Sequence, residues 1–192
     1  MKICVFTGSR IGSRREYGDA ARTMAHQLVG RGYGLVYGGG NVGLMGVIAD
    51  EMLTAGGDVI GVIPDMLVQK EVAHRSLSDL RVVTSMHERK AVMAELAHGF
   101  IALPGGIGTM EEFFEVLSWA QLGIHEKPCG LLNTSGYFDH LIRFLDSAVS
   151  EDFLKPKHRA LVIVDNEPAG LLDRFDEIFA DHAPTRLAGS KT

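Results

Sequence analysis

Several ingredients are scarce in this chain. Cysteine, proline and tryptophan contribute 2, 6 and 1 of 192 residues. Two cysteines cannot build a disulfide framework, and Cys4 and Cys129 each stand inside an apolar, strand-like run. That placement predicts two buried, reduced thiols. No run of 18 apolar residues occurs, so no transmembrane helix and no membrane partner are expected. The opening Met1-Lys-Ile-Cys-Val-Phe-Thr-Gly-Ser-Arg10 has only Ile3 to Phe6 as an apolar run, which is too short for a secretory signal. A cytoplasmic, soluble protein is expected. A basic excess is missing too: 19 Lys and Arg against 24 Asp and Glu leave a net charge of −5. A broad nucleic-acid surface is therefore not expected, whereas a focused site for one small anion remains open. His26, His74, His87, His98, His125, His140, His158 and His182 show no H-E-x-x-H or comparable spacing, so no metal site is predicted. The absence of a G-x-S-x-G elbow removes the usual hydrolase triad.

Glycine, by contrast, is abundant, at 23 of 192 residues. Eight glycines fall between Gly30 and Gly46 and four between Gly99 and Gly108. Around them, short runs rich in Val, Ile and Leu predict strands at Lys2–Thr7, Gly34–Tyr37, Asp58–Ile63, Leu80–Val83, Gly99–Leu103, Cys129–Leu132 and Leu161–Val164. Their apolar character on both faces fits a parallel sheet covered on both sides. Helical periodicity lies between them, near Tyr17–Arg31, Leu44–Ala55, Met86–Ala97, Met110–Leu122, Tyr137–Val149 and Pro168–Phe179. Alternation of this kind predicts an α/β fold, a single-domain, Rossmann-like, doubly wound parallel sheet with helices on both faces. One nucleotide-binding domain over residues 1–181 and a loose tail over 182–192 are expected, with an irregular, charged connection from Pro64 to Ser78.

Ligands of open α/β sheets bind beyond the carboxyl ends of the strands. Three glycine turns fall there: Gly8-Ser9-Arg10, Gly38 to Gly46, and Pro104 to Thr109. Gly38-Gly-Gly-Asn-Val-Gly43 formally satisfies G-x-G-x-x-G, but it follows the second strand, and three adjacent glycines satisfy many patterns. A tight packing turn and a dinucleotide site both fit it. Pro104-Gly-Gly-Ile-Gly-Thr109 is more specific, because its glycines can turn successive N–H groups into one concavity at a helix start, where a phosphate fits. Thr109 and Glu112 also fit a capping box, and Ser85 with Glu88 forms a second. On the fourth helix Arg89 projects into the centre of an apolar face made by Met86, Val92, Met93, Leu96 and Ala97. A guanidinium there must snorkel, pair with a carboxylate or meet a ligand. Glu112 borders the apolar stripe of Phe113, Val116, Leu117 and Ala120 on the next long helix, so the two charges can converge on the glycine nest.

Pro104-Gly-Gly-Ile-Gly-Thr-Met-Glu-Glu112 matches PGGxGTxxE, and Gly38 to Gly46, Met86-His-Glu-Arg-Lys90 and Trp119-Ala-Gln-Leu-Gly123 continue the same ordered pattern. Together they resemble the LONELY GUY family of cytokinin riboside 5′-monophosphate phosphoribohydrolases, sometimes labelled lysine decarboxylase-like. The resemblance runs from about Lys2 to Val164. It implies hydrolysis of the N-glycosidic bond between a purine-type base and ribose 5-phosphate, on a homodimer, without a cofactor. The decarboxylase label finds no pyridoxal phosphate motif here. Carried over by motif, Arg89 and Glu112 form the catalytic pair, and Gly105, Gly106, Gly108 and Thr109 hold the 5′-phosphate. Glu71, Lys90 and Glu111 contact substrate, as does Ser118, where relatives often have Thr. Gly8, Ser9, Gly39, Gly40, Met45 and Pro104 complete the strand-end site. A nucleotide carrier of the same fold and an NAD(P)-dependent oxidoreductase using Gly38–Gly43 are the competing readings.

Overall fold

In a computed structural model, residues 1–68 and 73–181 are described. They form seven strands: β1 (Lys2–Phe6), β2 (Gly34–Tyr37), β3 (Val59–Pro64), β4 (Asp79–Val83), β5 (Gly99–Ala102), β6 (Cys129–Leu132) and β7 (Val162–Asp165). All pair in parallel, in the order β4-β3-β2-β1-β5-β6-β7. Each predicted strand is present, within two residues at either end. The longer helices are α1 (Arg15–Gly30), α2 (Gly43–Thr54), α4 (Met86–Leu96), α5 (Ile107–Gln121), α6 (Asp139–Ser150) and α8 (Pro168–Asp181). Two one-turn helices, α3 (Asp65–Val68) and α7 (Pro156–Arg159), lie outside the periodicity readable in the sequence.

Strand alternation sorts the core into two layers. Ile3, Val5, Leu35, Tyr37, Ile101 and Leu103 face one side with Met24 and Leu28 of α1, Ile48 and Met52 of α2, and Phe175 of α8. Cys4, Phe6, Val36, Phe100 and Ala102 face the other, with Met93 of α4, Phe113 and Val116 of α5, and Leu145 of α6. Period two therefore serves both faces at once, which is why these strands read as unbroken apolar runs. Cys4 and Cys129 are both free and buried, as expected. The exception is β4, where Arg81 and Val82 are exposed. It is an edge strand, with a neighbour on one side only.

The two capping boxes have different fates. Ser85 Oγ accepts the Glu88 N–H at 3.1 Å, and Glu88 reaches back to the N–H and hydroxyl of Thr84 at 2.8 and 2.7 Å. A cap of this kind contributes about 1 kcal/mol. Thr109, however, is not a cap. Helix α5 begins at Ile107 with Gly106 at the N-cap and no side chain capping it, so Thr109 is the third residue of the first turn. That frees Glu112 from the local bond and leaves the first-turn N–H groups for another acceptor.

Candidate active site

Chain connections on the two halves of the sheet run in opposite directions from β1, so β1 and β5 flank the crevice where ligands of such sheets bind. Three loops meet there, stitched by their own backbones. The Gly8 N–H and the Thr7 hydroxyl both donate to Pro104 O, at 3.1 and 3.3 Å, and the Leu44 N–H donates to Gly8 O at 3.0 Å. Between them opens a cavity of about 230 Å³. Thr7, Ser9 and Met45 line one side, and Arg89, Glu112 and the first turn of α5 (Gly106 to Thr109) line the other.

At that first turn the N–H groups of Ile107, Gly108 and Thr109 precede any intrahelical partner, and the 15-residue helix adds its positive end. An anion such as a phosphate fits this geometry directly. Against it stands the charge pair. Arg89 is only 8% exposed, its Nη2 lies 3.3 Å from Glu112 Oε1, and its Nη1 reaches Met86 Sδ at 3.8 Å. The buried Arg89 Nε has no hydrogen-bond partner among the described residues. A guanidinium carries five N–H donors, so most of this one remain available to a ligand. Glu112, 12% exposed in its side chain, is pushed above the usual carboxylate range by burial, an effect that Arg89 only partly opposes. A buried carboxylate with a raised pKa and an under-committed guanidinium facing one cavity mark this as the candidate functional site.

Not all residues carried over by motif reach this cavity. Lys90 Nζ is held by Glu111 Oε1 at 2.5 Å and Glu115 Oε1 at 3.0 Å, a second link between α4 and α5 beside the Arg89–Glu112 pair. The hydrogen bond to Glu111 raises its pKa. A Schiff-base lysine needs the reverse, a free and readily neutralised amine, so Lys90 does not fit a pyridoxal phosphate anchor. Ser118 donates its hydroxyl to Phe114 O at 2.7 Å, within its own helix. Gly39 accepts the His74 N–H at 2.9 Å, and Gly40 bridges Ala73, so both brace the connection into β4. Glu71 lies outside the described residues.

Gly8, Pro104 and Gly105 line an adjoining cavity of about 250 Å³, which shares Ser9 and Gly106 with the first. Its walls include Tyr17, Leu44 and Tyr137, none of them foreseen. Tyr137 donates its hydroxyl to Gly105 O at 2.6 Å and packs edge-on to Tyr17, 5.6 Å between ring centroids. Its position just after β6, at another carboxyl strand end, is the sequence signal that points to it. No group of three or more metal-ligating side chains occurs among the described residues. None of the described helices is long and apolar enough to cross a membrane.

A family profile described as "possible lysine decarboxylase" matches residues 45–175. The chain is 51% identical over 176 residues to a probable cytokinin riboside 5′-monophosphate phosphoribohydrolase of Oryza sativa subsp. japonica, covering 92% of this chain and 78% of that one. It is 50% identical over 162 residues to a cytokinin riboside 5′-monophosphate phosphoribohydrolase of Arabidopsis thaliana, covering 84% and 71%. Among solved structures it is similar to the molybdenum cofactor carrier protein of Chlamydomonas reinhardtii, with a TM-score of 0.70 at 22% identity over 93% of this chain and 98% of that one. At that identity the likeness establishes the fold alone.

Proposed function

Because the chain belongs to the LONELY GUY family of cytokinin riboside 5′-monophosphate phosphoribohydrolases, we propose that it hydrolyses the N-glycosidic bond of a nucleoside 5′-monophosphate. The substrate is a cytokinin riboside 5′-monophosphate, with AMP as a second, and the products are free base and ribose 5-phosphate. One observation carries the reading: the buried Arg89–Glu112 pair and the open first turn of α5 face a single cavity.

The chemistry follows from that arrangement. The 5′-phosphate docks on the N–H groups of Ile107 to Thr109, which places the ribose beside Glu112. As the bond from C1′ to the base nitrogen breaks, positive charge develops on the ribose, and the Glu112 carboxylate stabilises it. Water supplies the new C1′–O bond; one of its protons ends on the departing base. Arg89 holds Glu112 in place and offers its spare donors to the leaving base.

Purified protein incubated with AMP or with isopentenyl-adenosine monophosphate is expected to release free base and ribose 5-phosphate. Tight nucleotide binding with no product would identify a carrier, and a saturable thermal shift with NAD(P) but none with AMP would identify an oxidoreductase. The protein acts as a homodimer, a reading supported by exposed apolar side chains, Ile107 of the cavity wall at 90% exposure and Met86 beside Arg89 at 39%. Light scattering is expected to return twice the 20.8 kDa chain mass. The two free, buried cysteines support a cytoplasmic location.

A further inference from the structure

We infer that Gly38 is a positioning residue for Arg89: the side chain missing at the end of β2 is the slot in which the guanidinium lies. A Cβ built on Gly38 would stand 1.9 Å from Arg89 Nη2 and 3.1 Å from Cζ. The next nearest atom, Met45 Sδ, is at 3.6 Å, an ordinary contact. Gly38 is absent from the glycines with positive φ, whereas Gly39 and Gly43 in the same loop have φ of +72° and +58°. The backbone at position 38 therefore accepts any residue, and the arginine is what excludes one.

The polar contacts of the guanidinium are too few to fix it alone. Nη2 has Glu112 at 3.3 Å, Nη1 has a sulfur at 3.8 Å, and Nε has no partner among the described residues. Shape holds the group where charge does not. A methyl at position 38 would drive Nη2 outward by about 1.5 Å, from 1.9 Å to the 3.4 Å of ordinary contact. The obstacle is the tip of a flexible side chain, so the strand stays and Arg89 yields. A displacement of that size is enough to lose about 100-fold in rate.

The test is a cycle of wild type, Gly38→Ala, Arg89→Ala and the double variant, assayed on AMP and by thermal unfolding. The rate readout rests on the phosphoribohydrolase reading; a third measurement, ¹³C NMR titration of the Glu112 carboxyl, does not. Gly38→Ala is expected to lose roughly 100-fold in kcat with a much smaller change in KM. Adding it to Arg89→Ala should change kcat and Tm no further, because the clashing group has gone. Near wild-type kcat for Gly38→Ala, or losses that multiply in the double variant, would overturn the inference. If wild type cleaves no nucleotide, the titration decides: the Glu112 midpoint should rise in Gly38→Ala as in Arg89→Ala, and an unmoved midpoint overturns it. If Gly38→Ala fails to fold, Arg89→Ala must restore folding in the double variant, and failure to do so is equally decisive.

Discussion

Glu112→Gln is expected to lower kcat by at least two orders of magnitude while leaving a cooperatively folded protein. Glutamine keeps the shape and one acceptor oxygen and removes only the charge, so the contact with Arg89 persists in weaker form. The carboxylate is expensive to maintain: it is 12% exposed and is pushed above the usual range by burial, with the charge of Arg89, and less so that of Lys90, opposing. In the proposed mechanism it acts as an anion beside a developing cation, so the wild-type rate should fall as pH drops through that raised pKa. The acid limb therefore lies above the ordinary glutamate range. Arg89→Ala removes the opposing positive charge and should move the limb to still higher pH. In Glu112→Gln the limb should vanish. A pH–rate profile of kcat/KM for the three proteins checks the set. Near wild-type turnover in Glu112→Gln, or a limb that survives in it, would sink the assignment.

The cross-helix geometry behind this prediction was only partly legible in the sequence. Parallel strands put all their carboxyl ends on one side, so the loops after β1, β2 and β5 had to converge, and Arg89 and Glu112 had to start helices on that side. An arginine within an apolar stripe then announced a buried partner or a ligand. What periodicity cannot supply is how two adjacent helices set their angles and depths. Lys90 and Glu111 sit one residue from Arg89 and Glu112 in sequence, yet α4 and α5 close on each other so that these two bind one another, with Glu115 as a second acceptor. The start of α5 was misplaced for a related reason. Thr-x-x-Glu is a local signal, but the helix already begins at Ile107, and Glu112 pairs across the helix interface with Arg89 instead of capping its own turn. Exposure of β4 was equally hidden, since strand order, not composition, decides which strand is an edge. Tyr137 comes to Gly105 across 32 residues, a contact that no local pattern encodes.

The glycine pair in Pro104-Gly105-Gly106 should divide sharply under substitution, although both residues stand in the same motif. A Cβ on Gly105 would lie 2.1 Å from Thr109 Oγ1, 2.8 Å from Thr109 Cβ and 2.8 Å from Gly8 N. Neither neighbour can yield cheaply. Thr109 is 4% exposed within the first turn of α5, and Gly8 N is backbone already committed to Pro104 O at 3.1 Å. Relief requires moving the β1 loop away from the β5 loop, which opens the cradle. Overpacking of this kind costs about 1–3 kcal/mol. In a chain of this size each kcal/mol lowers Tm by roughly 2–4 °C. The same movement should weaken phosphate capture, since charge-assisted hydrogen bonds contribute about 1.5–3 kcal/mol each, and losing one raises KM or the Kd for AMP by roughly 10- to 100-fold. Gly106 meets nothing within 4 Å of a built Cβ, so Gly106→Ala should leave Tm close to wild type. Differential scanning calorimetry of both variants, with AMP titration of Gly105→Ala, separates the two roles. Equal Tm losses at the two positions, or unchanged AMP affinity in Gly105→Ala, would mean that backbone flexibility in the motif, and not the contact of Gly105 with Thr109 and Gly8, sets the cradle.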